Sequence, residues 1–147
     1  MAQRKLFDSA TLKRLKKYPL YSQDGKGDKT VVSAKIFNPY GRGTFYITEW
    51  DGDDTMYGYS TMSGRHDDPD NEYGYFSKRE LENTRVNVMG VRLPLERDIS
   101  YSTPKTLGEV KDQELGRPKS QASVKSNFSN NASNAQGVNN AKGNVAG

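Results

Sequence analysis

Apolar and polar positions alternate with a period of two through most of the first hundred residues, so the chain reads chiefly as short strands. From Thr30 to Phe37 (TVVSAKIF), Val32, Ala34 and Ile36 fall on one face, as a half-buried strand requires. Asn38 to Gly43 (NPYGRG) interrupts the alternation. Pro39 has no backbone donor and the glycines tolerate positive φ, so a hairpin-like connection is expected. Thr44 to Trp50 resumes it, with Phe45 and Ile47 on one side and Tyr46, Thr48 and Trp50 on the other. Asp51 to Asp54 (DGDD) turns the chain by Asp-Gly hairpin chemistry. Thr55 to Met62 is a third strand, with Met56, Gly58 and Met62 opposite Tyr57 and Tyr59. A glycine inside a strand, here Gly58, predicts a bulge or the close approach of another backbone. Ser63 to Asn71 is a loop, Tyr73 to Phe76 a short aromatic strand, and Arg85 to Leu93 and Glu96 to Tyr101 read as further strands.

Helical spacing is confined to three places. Residues 7 to 18 hold Leu12 and Leu15 on one face, with Asp8 as N-cap and Phe7 and Leu12 at the spacing of a hydrophobic staple. Pro19 stops that helix. Ser77 to Glu80 has the spacing of a capping box and opens a short helix to about Asn83. Thr106 to Glu114 reads as a loosely held helix. After about Gly116 the chain is rich in Asn, Ser, Ala and Gly, with Phe128 its one large aromatic. Such a segment cannot bury enough apolar area to offset chain entropy, so disorder is expected. The fold class expected is α+β: a small antiparallel sheet with two or three short helices, a compact domain over 1–110 and a polar tail over 111–147.

Composition narrows the classes of function. Cysteine is absent, which excludes a disulfide framework, thiolate metal sites and a cysteine nucleophile. The N-terminal stretch lacks the apolar run of a secretory signal, and no stretch has the apolar length of a membrane span, so a cytoplasmic location is expected and no membrane partner. The net charge of +4 is unevenly spread. Residues 1 to 101 hold sixteen Lys/Arg against fifteen Asp/Glu, and residues 102 to 147 hold six against three. This is far weaker than the basic footprint of a dedicated DNA-binding domain.

The chemistry concentrates between Thr44 and Ser77, which holds the single Trp, the single His, five of the nine Tyr and eight of the eighteen acids. Two acidic turns there are candidates for a hard cation, with Asp51, Asp53 and Asp54 the first ligands to consider. Counted from Asp51, however, the sixth position of a calcium loop is Met56, where that loop needs Gly. His66 stands alone, without Cys or a second His for a transition metal, and no activated nucleophile accompanies it. No catalytic residue and no cofactor is assigned. The tyrosine row suits base stacking or a protein interface. Eight acids against one Arg in the same stretch argue against nucleic acid there and for a protein with a basic surface. The partner-binding set is therefore Tyr46, Glu49, Trp50, Asp51, Asp53, Asp54, Tyr57 and Tyr59. Lys13, Arg14, Lys16 and Lys17, with the basic tail, form the alternative: a contact to nucleic-acid phosphate.

Several segments together resemble a family. They are LYSQ (20 to 23), IFNP (36 to 39), TFYITEWDGDDTMYGY (44 to 59), EYGYFSKRELE (72 to 82) and ERDISY (96 to 101). Over residues 10 to 110 the chain looks like a domain-of-unknown-function family of small proteins carried by plasmids, integrative elements and phages. The loop Gly64 to Asn71 and the polar tail depart from the pattern. The resemblance implies a compact α+β domain on a mobile element and brings no catalytic residues with it. The expected function is that of a non-enzymatic accessory protein. It would bind a protein through its acidic-aromatic surface and counter a host nucleic-acid-handling or defence enzyme. The alternatives are a nucleic-acid-associated protein and a metal-dependent enzyme built on 51–54.

Overall fold

The computed structural model describes residues 5–118. Its elements run α1 (Ser9–Leu15), β1 (Val31–Val32), β2 (Ala34–Phe37), β3 (Thr44–Trp50), β4 (Thr55–Thr61), β5 (Glu72–Ser77), α2 (Lys78–Asn83), β6 (Arg85–Val88), β7 (Val91–Pro94), β8 (Glu96–Arg97), β9 (Lys105–Thr106) and α3 (Leu107–Gln113). The fold is α+β. Five strands form an antiparallel sheet in the order β5-β4-β3-β2-β8, flanked by a β6-β7 hairpin and a two-residue β1-β9 pair.

Each face of the sheet packs against helix, the second over only part of its width. On one, α1, α2 and the residue ahead of the α1 cap deliver Leu15, Leu81 and Phe7 against Ala34, Ile36, Ile47, Trp50 and Met56. On the other, α3 and its flanks deliver Leu107, Val110 and Leu115 against Val32, Tyr46, Tyr59 and Tyr101. Burial of apolar area on both sides is the main force holding the layers together.

Two local irregularities correct the strand faces expected from alternation. The stretch from Thr30 to Phe37 is not one strand. It changes sheets at Ser33, so Val32 enters the α3-side core while Ala34 and Ile36 enter the other. The backbone of Ser33 stays satisfied: its N–H donates to Ile47 O at 3.0 Å and its carbonyl accepts from the Arg14 guanidinium at 3.3 Å. In β3 the register against β4 shifts between Ile47 and Glu49, leaving Thr48 as an extra residue. The shift turns Trp50 onto the face of Phe45 and Ile47, not that of Tyr46, and aims Glu49 toward Tyr57. Gly58 sits beside the bulge; a Cβ there would lie 2.0 Å from the Tyr46 carbonyl oxygen. The backbone approach that its glycine predicts is therefore present.

The helices also differ in detail. Asp8 caps α1 by accepting from Thr11 N–H at 2.9 Å, but the helix ends at Leu15, short of Pro19. Ser77 caps α2 by accepting from Glu80 N–H at 3.1 Å. The companion contacts come from Asp54, not from Glu80. Asp54 accepts from the Ser77 hydroxyl at 2.7 Å and from Arg79 N–H at 2.8 Å. A full capping box occurs instead at α3, between Thr106 and Glu109. That helix is firmly packed, with Leu107 and Val110 fully buried. The packed chain runs past 110 to include Glu114, Leu115 and Arg117; the predicted tail beyond Pro118 lies outside the described residues. Among the described residues no helix is long and apolar enough to cross a membrane.

Candidate functional site

The β3 bulge builds the site. The extra residue, Thr48, turns its hydroxyl to the Tyr57 carbonyl at 3.1 Å, and its own carbonyl accepts from the Gln23 side chain at 2.8 Å. Glu49, next along, is buried, and its two carboxylate oxygens accept from the backbone N–H groups of Tyr21 at 2.8 Å and Gln23 at 2.9 Å. Gln23 also bridges Val31 through both ends of its amide. The segment LYSQ and the Glu of TEW are thus two halves of one junction, which pins the loop after α1 to the bulge.

The junction holds Tyr21 in a left-handed conformation, φ +74°, which a bulky residue adopts only when its surroundings enforce it. The result is a tyrosine standing 64% exposed. It lies beside Tyr75, whose pKa is pushed up to about 12, first by the neighbouring Tyr21 hydroxyl and then by partial desolvation. Tyr75 meets Tyr57 edge-to-face at 5.0 Å, and Tyr73 stacks with Tyr57 at 6.5 Å. Tyr73 and Tyr75 are about half exposed, at 49% and 56%. Beside them opens a cleft of about 210 Å³ lined by Asp24, Gly25, Gly27, Glu49, Tyr57 and Tyr73, among others. Burial, and then the charges of Glu49 and Asp24, raise the Tyr57 pKa.

Among the described residues no ion pair reaches Glu49. Its charge is held by dipoles alone, at the base of an aromatic-walled cleft. Such an arrangement attracts a cation and offers it ring faces.

The eight residues of the expected partner-binding set separate in space. Tyr46, Glu49, Trp50 and Tyr59 are buried, Tyr57 is half-buried, and Asp51 and Asp53 lie exposed on the β3-β4 turn. The Trp50 indole donates to Asp53 O at 2.8 Å. Asp51 accepts from Asp53 N–H and Thr55 N–H, closing the turn, while Asp54 caps α2. The Asp51 and Asp54 carboxylates are thus engaged in separate contacts, and Asp53 takes part through its backbone N–H and carbonyl. Among the described residues no group of three or more His, Cys, Asp or Glu converges in metal-binding geometry. The backbone N–H of His66 donates to Leu115 O at 2.8 Å, fastening its loop to the C-terminal segment. Of the basic cluster, Lys13, Lys16 and Lys17 are exposed, whereas Arg14 is drawn onto Thr11 and Ser33.

A second polar cluster escaped sequence reasoning. Glu114, just after α3, accepts from Lys35 at 2.8 Å, Tyr46 at 3.1 Å, Tyr101 at 2.7 Å and Lys105 at 3.0 Å. Burial pushes its carboxyl up, but the bonds from Lys35, Tyr101 and Lys105 outweigh burial and bring it down to about 2. Burial, followed by the contact with Glu114, raises both Tyr46 and Tyr101. This cluster joins α3 to the sheet beneath it and explains why Tyr46 lies under α3.

Residues 6–114 match the family described as protein of unknown function DUF2958, and the chain belongs to that family. No curated protein matches it, and no solved structure does.

Proposed function

We propose that this domain is a non-enzymatic binding module that docks a protein with a basic surface onto its tyrosine face. The supporting observation is the set of exposed tyrosines, Tyr21, Tyr73 and Tyr75, beside a cleft based on the Glu49 carboxylate. Tyrosine supplies large, amphipathic contact area and is enriched at binding hot spots. The negative potential of Glu49 and Asp24 favours a partner that brings Lys or Arg to the cleft. A side-chain cation entering there would meet the rings of Tyr57 and Tyr73.

From the resemblance to proteins of plasmids and phages, we infer an accessory role on a mobile element, exercised in the host cytoplasm. A host nucleic-acid-handling or defence enzyme fits this setting, because the basic surface such an enzyme offers to phosphates complements an acidic-aromatic face. The second reading, association with nucleic acid, draws on the three exposed lysines of the α1 region.

A pull-down from the natural host, with and without nuclease, separates the two. The protein reading expects one stoichiometric protein that survives nuclease and is lost with Tyr73→Ser plus Tyr75→Ser. It expects Lys13→Ser, Lys16→Ser and Lys17→Ser together to leave that capture unchanged. Loss of all captured material on nuclease treatment, or with the lysine variant alone, would overturn the protein reading.

A further inference from the structure

The cleft beside the β3 bulge holds about 210 Å³. Sites built for free small molecules run to roughly 300–1,000 Å³, so this one has the size for a single side chain. Glu49 lines it although that residue is only 3% exposed. A cation that reaches the carboxylate must therefore shed most of its water. Each carboxylate oxygen accepts one backbone N–H and keeps a second lone pair for a further donor. The rings of Tyr57 and Tyr73 also line the cleft and lie within 12° of parallel. A flat group laid on one ring is thus aligned with the other. Neighbouring cations of the chain are engaged elsewhere. Lys26 lies over the Tyr18 ring, and Lys111 lies over the Tyr59 ring and pairs with Asp28.

We propose that this cleft is a socket for an arginine side chain of the docked protein. The proposal rests on the docking reading above and narrows it from any basic group to one. A guanidinium is planar, so it can lie on a tyrosine face while its edge donates to the carboxylate. It is more weakly hydrated than an ammonium, so it enters a dehydrating site at lower cost. Lysine brings the same charge without the flat face. A quaternary ammonium has no N–H for the remaining lone pairs of Glu49, and such groups are held in aromatic cages. A hard divalent cation requires several oxygen ligands, and among the described residues no three acids, histidines or cysteines converge. Asp24, also lining the cleft, adds a second negative charge. Arginine is enriched at the centres of protein interfaces, where a socket of this kind would anchor the partner.

The test uses the purified full chain with carbon-labelled tyrosine rings, followed by NMR. The probes are the N-acetyl methylamides of arginine, lysine and citrulline; citrulline has the shape of arginine without its charge. The arginine probe should shift the Tyr57 and Tyr73 rings saturably, with a Kd in the millimolar range, and leave Tyr40 and Tyr101 unmoved. It should bind roughly fivefold more tightly than the lysine probe, and citrulline should give no saturable shift. Asp24→Asn, at an exposed loop position, should weaken the arginine probe by roughly threefold. Tyr57→Leu removes a ring but leaves the Glu49 junction intact, and should abolish the preference for arginine over lysine. No saturable shift with arginine, an equal response to citrulline, or a lysine probe that binds as tightly would overturn the socket. So would a preference for arginine that survives Tyr57→Leu. Because no partner protein is present, these results are separate from the capture experiment. A failed socket leaves capture through Tyr73 and Tyr75 standing, and a failed capture leaves the probe titration standing.

Discussion

Glu49 illustrates how little of a residue's role its type reveals. In the sequence it is one acid among eight in a stretch of turns; in the fold it is a buried carboxylate whose oxygens hold two backbone N–H groups of another segment. Glu49→Gln keeps the shape but turns one acceptor into a donor facing an N–H. An unsatisfied buried group costs about 1–3 kcal/mol, so Tm should fall by several degrees, with the buried Trp50 as fluorescence reporter. The same variant frees Tyr21 from its enforced left-handed backbone, so partner capture should weaken although every tyrosine remains. Unchanged stability and capture would show that Glu49 does not organise the face. Tyr21 itself was legible only as part of the LYSQ resemblance. Nothing in its flanking residues signals positive φ, because the strain is imposed from β3, across 28 positions of chain.

At the scale of elements, the local signals were the readable ones. The hairpins joining β2, β3 and β4, the Asp51 turn, the Asp8 and Ser77 caps and the Gly58 approach all follow from chemistry within a few residues. The bulge at Thr48 did not, since threonine fits an alternating strand equally well. Nor did the break at Ser33, or the pairings of β8 with β2 and β1 with β9, which join segments distant in sequence. The Thr106 and Glu109 capping box was available in TLGE, and with Leu107, Val110 and Leu115 it signals a packed helix.

That helix carries the cluster with a clear pH signature. The Glu114 carboxyl is lower in the fold, at about 2, than its ordinary value of 4.5. Its ionised form therefore contributes stability that is complete above the ordinary value and is lost as pH falls toward about 2. Urea midpoints should drop between about pH 5 and about pH 2.5, and Glu114→Gln should flatten that part of the drop. An equal drop in the variant would show that other carboxylates carry the acid sensitivity.

For the whole molecule, the decisive fact is that α3 covers only part of the tyrosine side of the sheet. Tyr46 and Tyr59 vanish under it, while Tyr73 and Tyr75 at the β5 end stay open and are joined there by Tyr21. The alternation pattern places all the sheet tyrosines on one side and cannot say how far a distant helix will reach across it. Where the cover stops, the open rings meet the charged cleft, and that boundary defines the docking surface proposed for this domain. Hydroxyl-radical footprinting of the complex with the captured protein tests the surface directly. In the free domain Tyr21, Tyr73 and Tyr75 should oxidise, and the buried Tyr46 and Tyr101 should not. Binding should shield the first three and leave Tyr40, on the β2-β3 turn, as reactive as before. If those three stay as reactive in the complex as in the free domain, the tyrosine face is not where the partner sits.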